Sequence, residues 1–472
     1  MVSDPTAWED RPAQRVKPWR GVPDTAGTVA VVGMGKIGLP LAAQYAEAGW
    51  HVIGVDVLPD VVRTLNAGRV HFAEEPGLAE RIAAAHSGGR FEATLSHAEA
   101  AARADVVVMI VPLMLSDEQL PDYRMIDPAT DAVAGGLRPG TLVIYETTVP
   151  VGDTRRRFGP ALERGSGLAS GDGEAGFLLA FSPERVFSGR IFHDLQTYPK
   201  LVGGLDPAST ERALAFYRSV LPAPVWDLTT AEAAEFAKLA ETTYRDVNIA
   251  LANEFARYAE RVGVDVLEAI RGANSQPFSH IHQPGIGVGG HCIPVYPHFL
   301  ISRAPELQIP ELARRVNDGQ VGVAVGELQR ELGSLEGVSV LVLGLTYREG
   351  VKELAYTRAM PLIERLRFHG AVVAAYDPLL SEAEVTRLGV TPWAWGSSSP
   401  ARAVILQTAD PHFRDLDLAW LPDLAVIYDG RNVLRGTPAH PGVTYLGVGV
   451  SPVRAEDGAA RGVSLAGRAA PR

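Results

Sequence analysis

The chain has 472 residues, of which 46% are apolar, with 44 lysines and arginines against 55 aspartates and glutamates. At roughly 150 residues per domain, this length predicts two or three domains, and the apolar fraction is sufficient to fill their cores. The net charge of −11 gives no electrostatic reason to expect a polyanionic partner, so the composition argues against nucleic-acid binding.

Both terminal segments are predicted to be disordered tails. Residues 1–27 mix acids, bases and prolines without an apolar core segment, a pattern typical of neither a signal peptide nor a membrane anchor. Residues 451–472 are rich in Ala, Gly, Arg and Ser and lack apolar periodicity. The folded body is therefore expected at about residues 28–450, with no membrane partner.

A nucleotide-binding βαβ unit is predicted at the start of this body. A β-branched run from Thr28 leads into a G-x-G-x-x-G turn, a helical stretch and a second apolar run that ends in Asp56. Such a triplet alone is equally an ordinary glycine turn. Asp56, however, lies 18 residues after the last glycine, where a carboxylate can accept from adenosine ribose hydroxyls and repel a 2′-phosphate. NAD is therefore preferred over NADP, and the predicted cofactor-binding residues of this unit are Gly33, Gly35, Lys36, Ile37, Gly38 and Asp56.

Three further apolar runs follow, at residues 105–111, 141–145 and 177–181, separated by segments long enough for crossover helices. Repeated alternation of buried strands with helices predicts a doubly wound parallel sheet. Together with the preceding βαβ unit, these runs make up a predicted NAD-binding Rossmann domain at residues 28–227.

A long helix is predicted next. Residues 225–276 contain no proline and residues 205–262 contain no glycine. Thr229 or Thr230 can cap the helix and Gly263 can end it, which predicts about 33 residues. At 1.5 Å per residue it would be roughly 50 Å long, more than a single small domain needs. We expect it to bridge domains or to form a dimer interface, within a central domain of residues 228–325.

A second βαβ unit begins at Val338, passes through a helix near residues 358–368 and returns at residues 371–377, and later strands are predicted at residues 403–407 and 424–429. It carries one glycine, Gly344, at its first turn, so it need not hold a dinucleotide. The predicted fold is α/β, with two Rossmann-like doubly wound domains joined by a long central helix. The second of these domains spans residues 326–450.

The single cysteine, Cys292, lies in a segment with four glycines in six residues. A lone cysteine is usually a small buried hydrophobe, but a glycine-rich loop brings backbone N–H groups close to a substrate, which favours a nucleophile. One cysteine excludes an intrachain disulfide, and a cytoplasmic setting is the simplest interpretation. The 12 histidines show no metal-ligand spacing, so no metal is assigned.

Seven motifs together resemble the UDP-glucose/GDP-mannose dehydrogenase family, and most closely its UDP-N-acetylglucosamine and UDP-N-acetylmannosamine 6-dehydrogenases. They are VVGMGKIGLPLA at 31–42, ETTVPVG at 146–152, FSPERV at 181–186, YPKLVGG at 198–204, KLAETTYRDVNIALANE at 238–254, GVGGHCIP at 287–294 and YDP at 376–378. The resemblance implies an N-terminal NAD domain, a C-terminal domain that holds a UDP-sugar, a homodimer and a role in polysaccharide biosynthesis.

The resemblance also implies the chemistry. Two NAD+ oxidise a sugar C6 alcohol to the acid through an aldehyde captured by Cys292, a thioester and its hydrolysis. Lys238 would stabilise the oxyanion, Glu184 would be the general base, and Thr148 would help to hold both the water and NAD. The implied substrate contacts are Glu184, Arg185, Lys238, Phe278, His280, Gly287, Gly289 and Gly290.

Each of these residues also has an ordinary structural interpretation. Lys238 could be a solvated helix lysine, Glu184 a helix cap, Thr148 a strand-end residue, and His291 a side chain that only hydrogen-bonds its loop. The combined motifs favour a catalytic role over the structural one for Cys292, Lys238 and Glu184, but not for His291.

Four positions depart from the family pattern. Thr242 replaces an asparagine but still offers a hydroxyl donor to the oxyanion, whereas Tyr296 replaces an aspartate with a neutral phenol. Phe278 and Ala355 each stand where an arginine is common. Three hypotheses therefore stay open: a 6-dehydrogenase for a UDP-N-acetylhexosamine, with UDP-glucose the next candidate; a dehydrogenase that stops at the aldehyde; and a sugar-nucleotide-binding protein without turnover.

Overall fold

The computed structural model describes residues 27–72, 74–171, 175–435 and 440–454. The predicted tails lie outside these residues, apart from Gly27 and residues 451–454. The chain divides into two compact units. The first unit comprises residues up to 112, 124–147 and 152–234, and the second comprises residues 113–123, 148–151 and 235 onward.

The strands of the described residues are numbered in chain order. They are β1 Thr28–Val32, β2 His51–Val55, β3 Phe91–Thr94, β4 Val106–Met109, β5 Met114–Leu115, β6 Pro121–Asp122, β7 Leu142–Tyr145, β8 Leu178–Phe181, β9 Lys200–Gly204, β10 Val225–Asp227, β11 Ser339–Leu343, β12 Val372–Tyr376, β13 Thr391–Pro392, β14 Ala403–Leu406, β15 Val426–Asp429 and β16 Thr444–Gly447.

The α-helices are numbered in the same way. They are α1 Gly38–Glu47, α2 Pro59–Asn66, α3 Leu78–Ser87, α4 His97–Arg103, α5 Ile126–Ala134, α6 Gly159–Ser166, α7 Ile191–Thr197, α8 Pro207–Val220, α9 Ala231–Val262, α10 Val266–Ala273, α11 Tyr296–Ile301, α12 Gln308–Leu332, α13 Ala359–Phe368 and α14 Glu382–Arg387. A π-helical turn covers Thr154–Phe158, and two 3₁₀ turns cover Pro411–Asp415 and Leu418–Trp420. None of these helices is both long and apolar enough to cross a membrane.

The described part of the first unit is built on an eight-stranded sheet in the order β10-β9-β8-β7-β4-β1-β2-β3. The runs in β4, β7 and β8 are buried throughout, as strands covered by helices on both faces must be. Neighbouring strands are parallel except β8 and β9, which pair antiparallel. The predicted doubly wound sheet is confirmed, with its strand order reversing between β1 and β4, where such sheets bind ligands.

The second unit holds a six-stranded parallel sheet in the order β13-β12-β11-β14-β15-β16. Every strand predicted for this half is present within two residues of its expected bounds. A short antiparallel hairpin of β5 and β6 also belongs to this unit. The fold is therefore α/β with two Rossmann-like sheets.

The predicted long helix is α9, with 32 residues. Of the two candidate caps, Thr230 acts, because its hydroxyl oxygen accepts from the backbone N–H of Ala233 at 3.1 Å. Gly263 follows the last turn with φ of +68°, a conformation that a side chain disfavours. The helix begins in the first unit and continues in the second.

Candidate active site

The glycine turn after β1 has the geometry of a dinucleotide-binding loop. Gly33 has φ of +102°, and a Cβ at Gly38 would overlap the carbonyl oxygen of Gly33. A Cβ at Gly35 would point into open space, so Gly35 leaves room for a ligand to approach the backbone. Lys36 and Ile37 are half-buried at the amino end of α1.

Asp56 follows β2 and reaches back to this turn. Its carboxylate accepts from the backbone N–H of Met34 at 3.1 Å and from that of Leu58 at 2.9 Å. The side chain is half-buried, so it keeps a surface that a ligand hydroxyl can reach. The turn and the carboxylate thus fit NAD as the sequence predicted, in the part of the sheet where the strand order reverses.

The cysteine loop of the second unit is held by backbone contacts. The N–H of Gly285 donates to Asn253 Oδ1 at 2.9 Å, and that of Gly290 donates to the carbonyl of Ala355 at 2.9 Å. A Cβ at Gly289 would lie 2.8 Å from that of Tyr347. Any larger residue here would displace the loop, which explains its glycine content.

The structure brings together Thr148 and Cys292, which the resemblance placed in catalysis, and Tyr296, which stands where the family usually has an aspartate. Tyr296 is the first residue of α11, and its side chain hydrogen-bonds with those of Thr148 and Cys292. Cys292 itself is half-buried. Burial, and then the nearby Cys292, raise the pKa of the Tyr296 phenol well above its usual value. Tyr296 is therefore a neutral hydrogen-bond donor beside the sulfur.

Lys238 and Thr242 lie one turn apart on α9. Lys238 is only 5% exposed, so its interpretation as a solvated lysine is wrong. Thr242 is fully buried, and its hydroxyl donates to the carbonyl of Lys238 at 2.8 Å. A helical threonine commonly makes this bond to the fourth preceding residue. The hydroxyl hydrogen of Thr242 is thus directed at this carbonyl, and the role of Thr242 as an oxyanion donor stays a prediction.

Glu184 lies in the first unit, after β8. One carboxylate oxygen accepts from the backbone N–H of Arg185 at 2.6 Å, and the other accepts from Lys200 Nζ at 2.8 Å. Burial alone would raise the pKa of the Glu184 carboxyl, but the Lys200 ammonium and the donated hydrogen bonds hold it below its usual range. No helix starts at Glu184, since α7 begins at Ile191, and the helix-cap interpretation is wrong.

The remaining predicted contacts are spread over the second unit, except Arg185 in the first. Arg185 donates to the carbonyl of Pro199 at 3.2 Å. Phe278 and His280 are exposed, and the carbonyl of His280 accepts from Asn248 at 2.6 Å. His291 Nε2 lies 3.7 Å from Glu353 Oε2, so it forms a contact near the loop. Within the described residues there is no group of three side chains that could hold a metal ion.

Two arginines beside the cysteine loop were missed at the level of sequence. A Cβ at Gly287 would lie 3.1 Å from Arg358 Nε, and one at Gly285 would lie 2.8 Å from Arg431 Nη1. Both residues stand in the stretches that follow the carboxyl ends of β11 and β15, the edge where open parallel sheets bind ligands. Their position after the strand ends is the sequence signal that could have identified them. Cationic donors of this kind suit a diphosphate.

The sequence matches the domains of one known protein family. Residues 27–221 match the NAD binding domain of the UDP-glucose/GDP-mannose dehydrogenase family, residues 232–319 its central domain, and residues 341–436 its UDP binding domain. The chain therefore belongs to the UDP-glucose/GDP-mannose dehydrogenase family. It is an oxidoreductase, and its cofactor is NAD.

The chain is similar over most of its length to several members. UDP-N-acetyl-D-mannosamine dehydrogenase of Pyrococcus horikoshii is 35% identical over 429 residues, which cover 89% of this chain and 99% of that protein. NDP-N-acetyl-D-galactosaminuronic acid dehydrogenase of Ralstonia nicotianae is 33% identical over 407 residues, or 85% and 95% of the two chains.

Solved structures agree with this assignment. The structure of UDP-D-ManNAc dehydrogenase from Pyrococcus horikoshii has a TM-score of 0.80 and 34% identity, and covers 89% of this chain and 99% of its own. A UDP-glucose dehydrogenase from Pyrobaculum islandicum also has a TM-score of 0.80, with 29% identity, 92% of this chain covered and 100% of its own.

Proposed function

We propose that this protein oxidises the C6 hydroxymethyl group of a UDP-N-acetylhexosamine to the carboxylate, through a covalent bond to Cys292. The similarity to two N-acetylhexosamine-type dehydrogenases supports the sugar class. The main support for the covalent chemistry is that the Tyr296 side chain hydrogen-bonds with those of Cys292 and Thr148. A sulfur on a glycine-rich loop with a neutral donor beside it suits a nucleophile that must accept and release an acyl group.

The cofactor site of this proposal is the turn after β1. NAD+, when bound there, would supply the hydride acceptor for both oxidations. Gly35 would let the pyrophosphate approach the amino end of α1, and Asp56 would accept from the adenosine ribose hydroxyls. Val57 and Leu58 are 72% and 58% exposed and offer an apolar surface to the adenine. We assign residues 28–227 to cofactor binding, 228–325 to the central domain and 326–450 to the UDP-sugar.

The covalent steps use the chain's own residues. The Cys292 sulfur bonds to the aldehyde carbon while the C=O π bond breaks and its electron pair moves to oxygen, where Lys238 balances the developing charge. The thiol proton passes to that oxygen, which gives a thiohemiacetal. After the second oxidation the sugar is held as a thioester. Water then attacks the thioester carbon, the C–S bond breaks, sulfur leaves as thiolate, and Glu184 accepts a proton from the water. A cysteine used in this way must remain reduced, which suits the cytoplasm.

Counting NADH per sugar distinguishes the three hypotheses. A panel of UDP- and GDP-sugars is incubated with the enzyme, and NADH is counted per sugar consumed. Two NADH per UDP-N-acetylhexosamine support the proposal. One NADH with an aldehyde product supports the enzyme that stops halfway, and binding without NADH supports the protein without turnover. A preference for UDP-glucose over every N-acetylated sugar would overturn the sugar class alone.

We also propose a homodimer formed through α9. Six apolar residues on this helix are 40–59% exposed, and apart from Phe236 they repeat every three, four or seven positions, which places these five on one face. They are Tyr244, Leu251, Phe255, Tyr258 and Val262. An exposed stripe of this kind fits a second copy of the same helix. Light scattering should report a dimer that Phe255→Asp converts to a monomer, whereas the control Glu254→Gln stays dimeric. An unchanged mass for Phe255→Asp would contradict this interface.

A further inference from the structure

A lysine outside every predicted role is buried between two carboxylates in the first unit. Lys200 Nζ donates to Glu184 Oε2 at 2.8 Å and to Glu146 Oε2 at 3.0 Å. The Lys200, Glu146 and Glu184 side chains are 4%, 0% and 11% exposed. A cavity of about 10 Å³ beside Glu184 and Lys200 has room for no more than one water, so these charges are weakly screened.

The strand directions produce this cluster. Glu146 follows β7 and Glu184 follows β8, both at the carboxyl ends of parallel strands. Because β9 runs antiparallel to β8, its first residue, Lys200, lies at the same edge of the sheet. A parallel β9 would place Lys200 at the opposite edge.

The two carboxylates are held differently. Glu146 Oε1 accepts from Tyr45 at 3.1 Å and from Tyr217 at 2.5 Å, while its other oxygen accepts from Lys200. The pKa of Glu146 is raised by burial, against the effect of Lys200, whereas that of Glu184 is lowered. Both oxygens of Glu146 thus accept from buried donors, one of which is the Lys200 ammonium, and Glu184 is the more accessible of the two carboxylates.

We propose that Lys200 is a positioning residue that, anchored by Glu146, keeps Glu184 ionised and oriented to accept the proton of the hydrolytic water. This inference rests on the proposed function, because it needs Glu184 as the base. The ammonium fixes the carboxylate that receives the proton, and the carboxylate of Glu146 fixes the ammonium. Burying a lysine is costly unless its charge is matched, and here the two carboxylates match it.

Two substitutions in this cluster should shift the pH profile in opposite directions. In Lys200→Met the carboxyl of Glu184 loses its cation, so its pKa should rise. The acid limb of the pH profile, where hydrolysis fails as Glu184 is protonated, should then move to higher pH by roughly one unit or more. In Glu146→Gln the ammonium no longer shares its charge with a second carboxylate, so the acid limb should move to lower pH. Lys200→Arg should restore the wild-type limb.

The measurement is the decay of the sugar–enzyme adduct on Cys292, followed by rapid quenching and intact mass across the acid range. Lys352→Met, which removes a lysine paired with Glu384 in the second unit, is the matched control and should leave the acid limb in place. If Lys200→Met does not fold, Glu146→Gln and Lys200→Arg still test the inference. Shifts of the same sign in Lys200→Met and Glu146→Gln, or no shift in Glu146→Gln, overturn it.

Glu184→Gln distinguishes the role of Glu184 as the base from the positioning role of Lys200. Slow hydrolysis in this variant, with unshifted limbs in the Lys200 and Glu146 variants, overturns the positioning inference alone. Wild-type hydrolysis in Glu184→Gln removes Glu184 as the base and overturns both. Slow hydrolysis together with opposite shifts supports both.

Discussion

The two large sheets share one local turn motif, which serves a different purpose in each. In each, a glycine with positive φ follows the first strand and an aspartate follows the second: Gly33 and Asp56 in the first unit, Gly344 and Asp377 in the second. Asp377 is 1% exposed and accepts from the backbone of Leu345 and Thr346 at 2.7 and 2.9 Å. Asp56 keeps an accessible surface.

The difference lies in what fills the turn. At the first glycine of each turn the protein itself occupies the space, since a Cβ at Gly344 would lie 2.8 Å from the backbone nitrogen of Thr408 and one at Gly33 would lie 3.1 Å from the carbonyl oxygen of Ile110. Two residues further on the turns differ: a Cβ at Gly35 would meet nothing within 4 Å, whereas the second turn has Thr346 there, which is 1% exposed. One turn is closed by the protein and the other is open to a ligand. A glycine and an acid at the right spacing therefore predict a turn, and the free space around it determines whether it binds a dinucleotide.

The largest expected effect separates cofactor binding from the covalent chemistry. Cys292→Ala should abolish acid formation, because only the covalent steps need sulfur. NAD binding to the open turn should persist, as measured by calorimetry. Acid production at the wild-type rate would exclude Cys292 as the nucleophile.

Tyr296→Phe tests whether the second unit contributes a donor as well as the sulfur. Losing the donor beside the sulfur should lower turnover roughly 10²-fold, by analogy with the removal of one oxyanion donor, with a smaller effect on substrate binding. Rapid mixing and intact mass should show the sugar adduct accumulating on Cys292 alongside an NADH burst. Full turnover without an adduct would reduce Tyr296 to a packing residue.

Asp56→Asn and Asp377→Asn test the comparison directly. Asp56→Asn should narrow the ratio of NAD to NADP affinity by about tenfold, chiefly by weakening NAD, since one charge-assisted hydrogen bond is worth that much. Asp377→Asn should leave this ratio unchanged and lower the free energy of unfolding by roughly 1–3 kcal/mol. Equal effects of the two substitutions on the cofactor ratio would contradict the distinction between the turns.

The smallest expected effect concerns the second unit alone. Burial, opposed by Arg314, raises the pKa of Asp246 to about 6. A raised pKa in the folded state means that protonation favours folding, so this residue stabilises the fold at low pH and loses that contribution as the pH rises through about 6. The free energy of unfolding of the wild type relative to Asp246→Asn should therefore increase as the pH falls through 6 in urea titrations. A constant difference would show that Asp246 does not titrate there.

Local patterns predicted the elements and the turn, because they depend on residues close in sequence. The bounds of α9 follow from Thr230 and Gly263, and the open turn follows from its three glycines. β9 was not among the predicted strands, and its antiparallel direction was not predictable, since a short apolar run carries no signal of strand direction. The contact of Thr148 with Tyr296 joins segments that are distant along the chain, and the bond of Thr242 to a carbonyl depends on a rotamer.

Cys292 is the only cysteine among the 472 residues and is half-buried on its loop. A thiol-selective electrophile can therefore attach to the protein at one position only. The number of labels per chain then gives an active-site titration, which counts competent subunits in a preparation without an assay of turnover. Slower labelling in the presence of a nucleotide sugar would measure its occupancy directly, even for a sugar that the enzyme binds but does not oxidise.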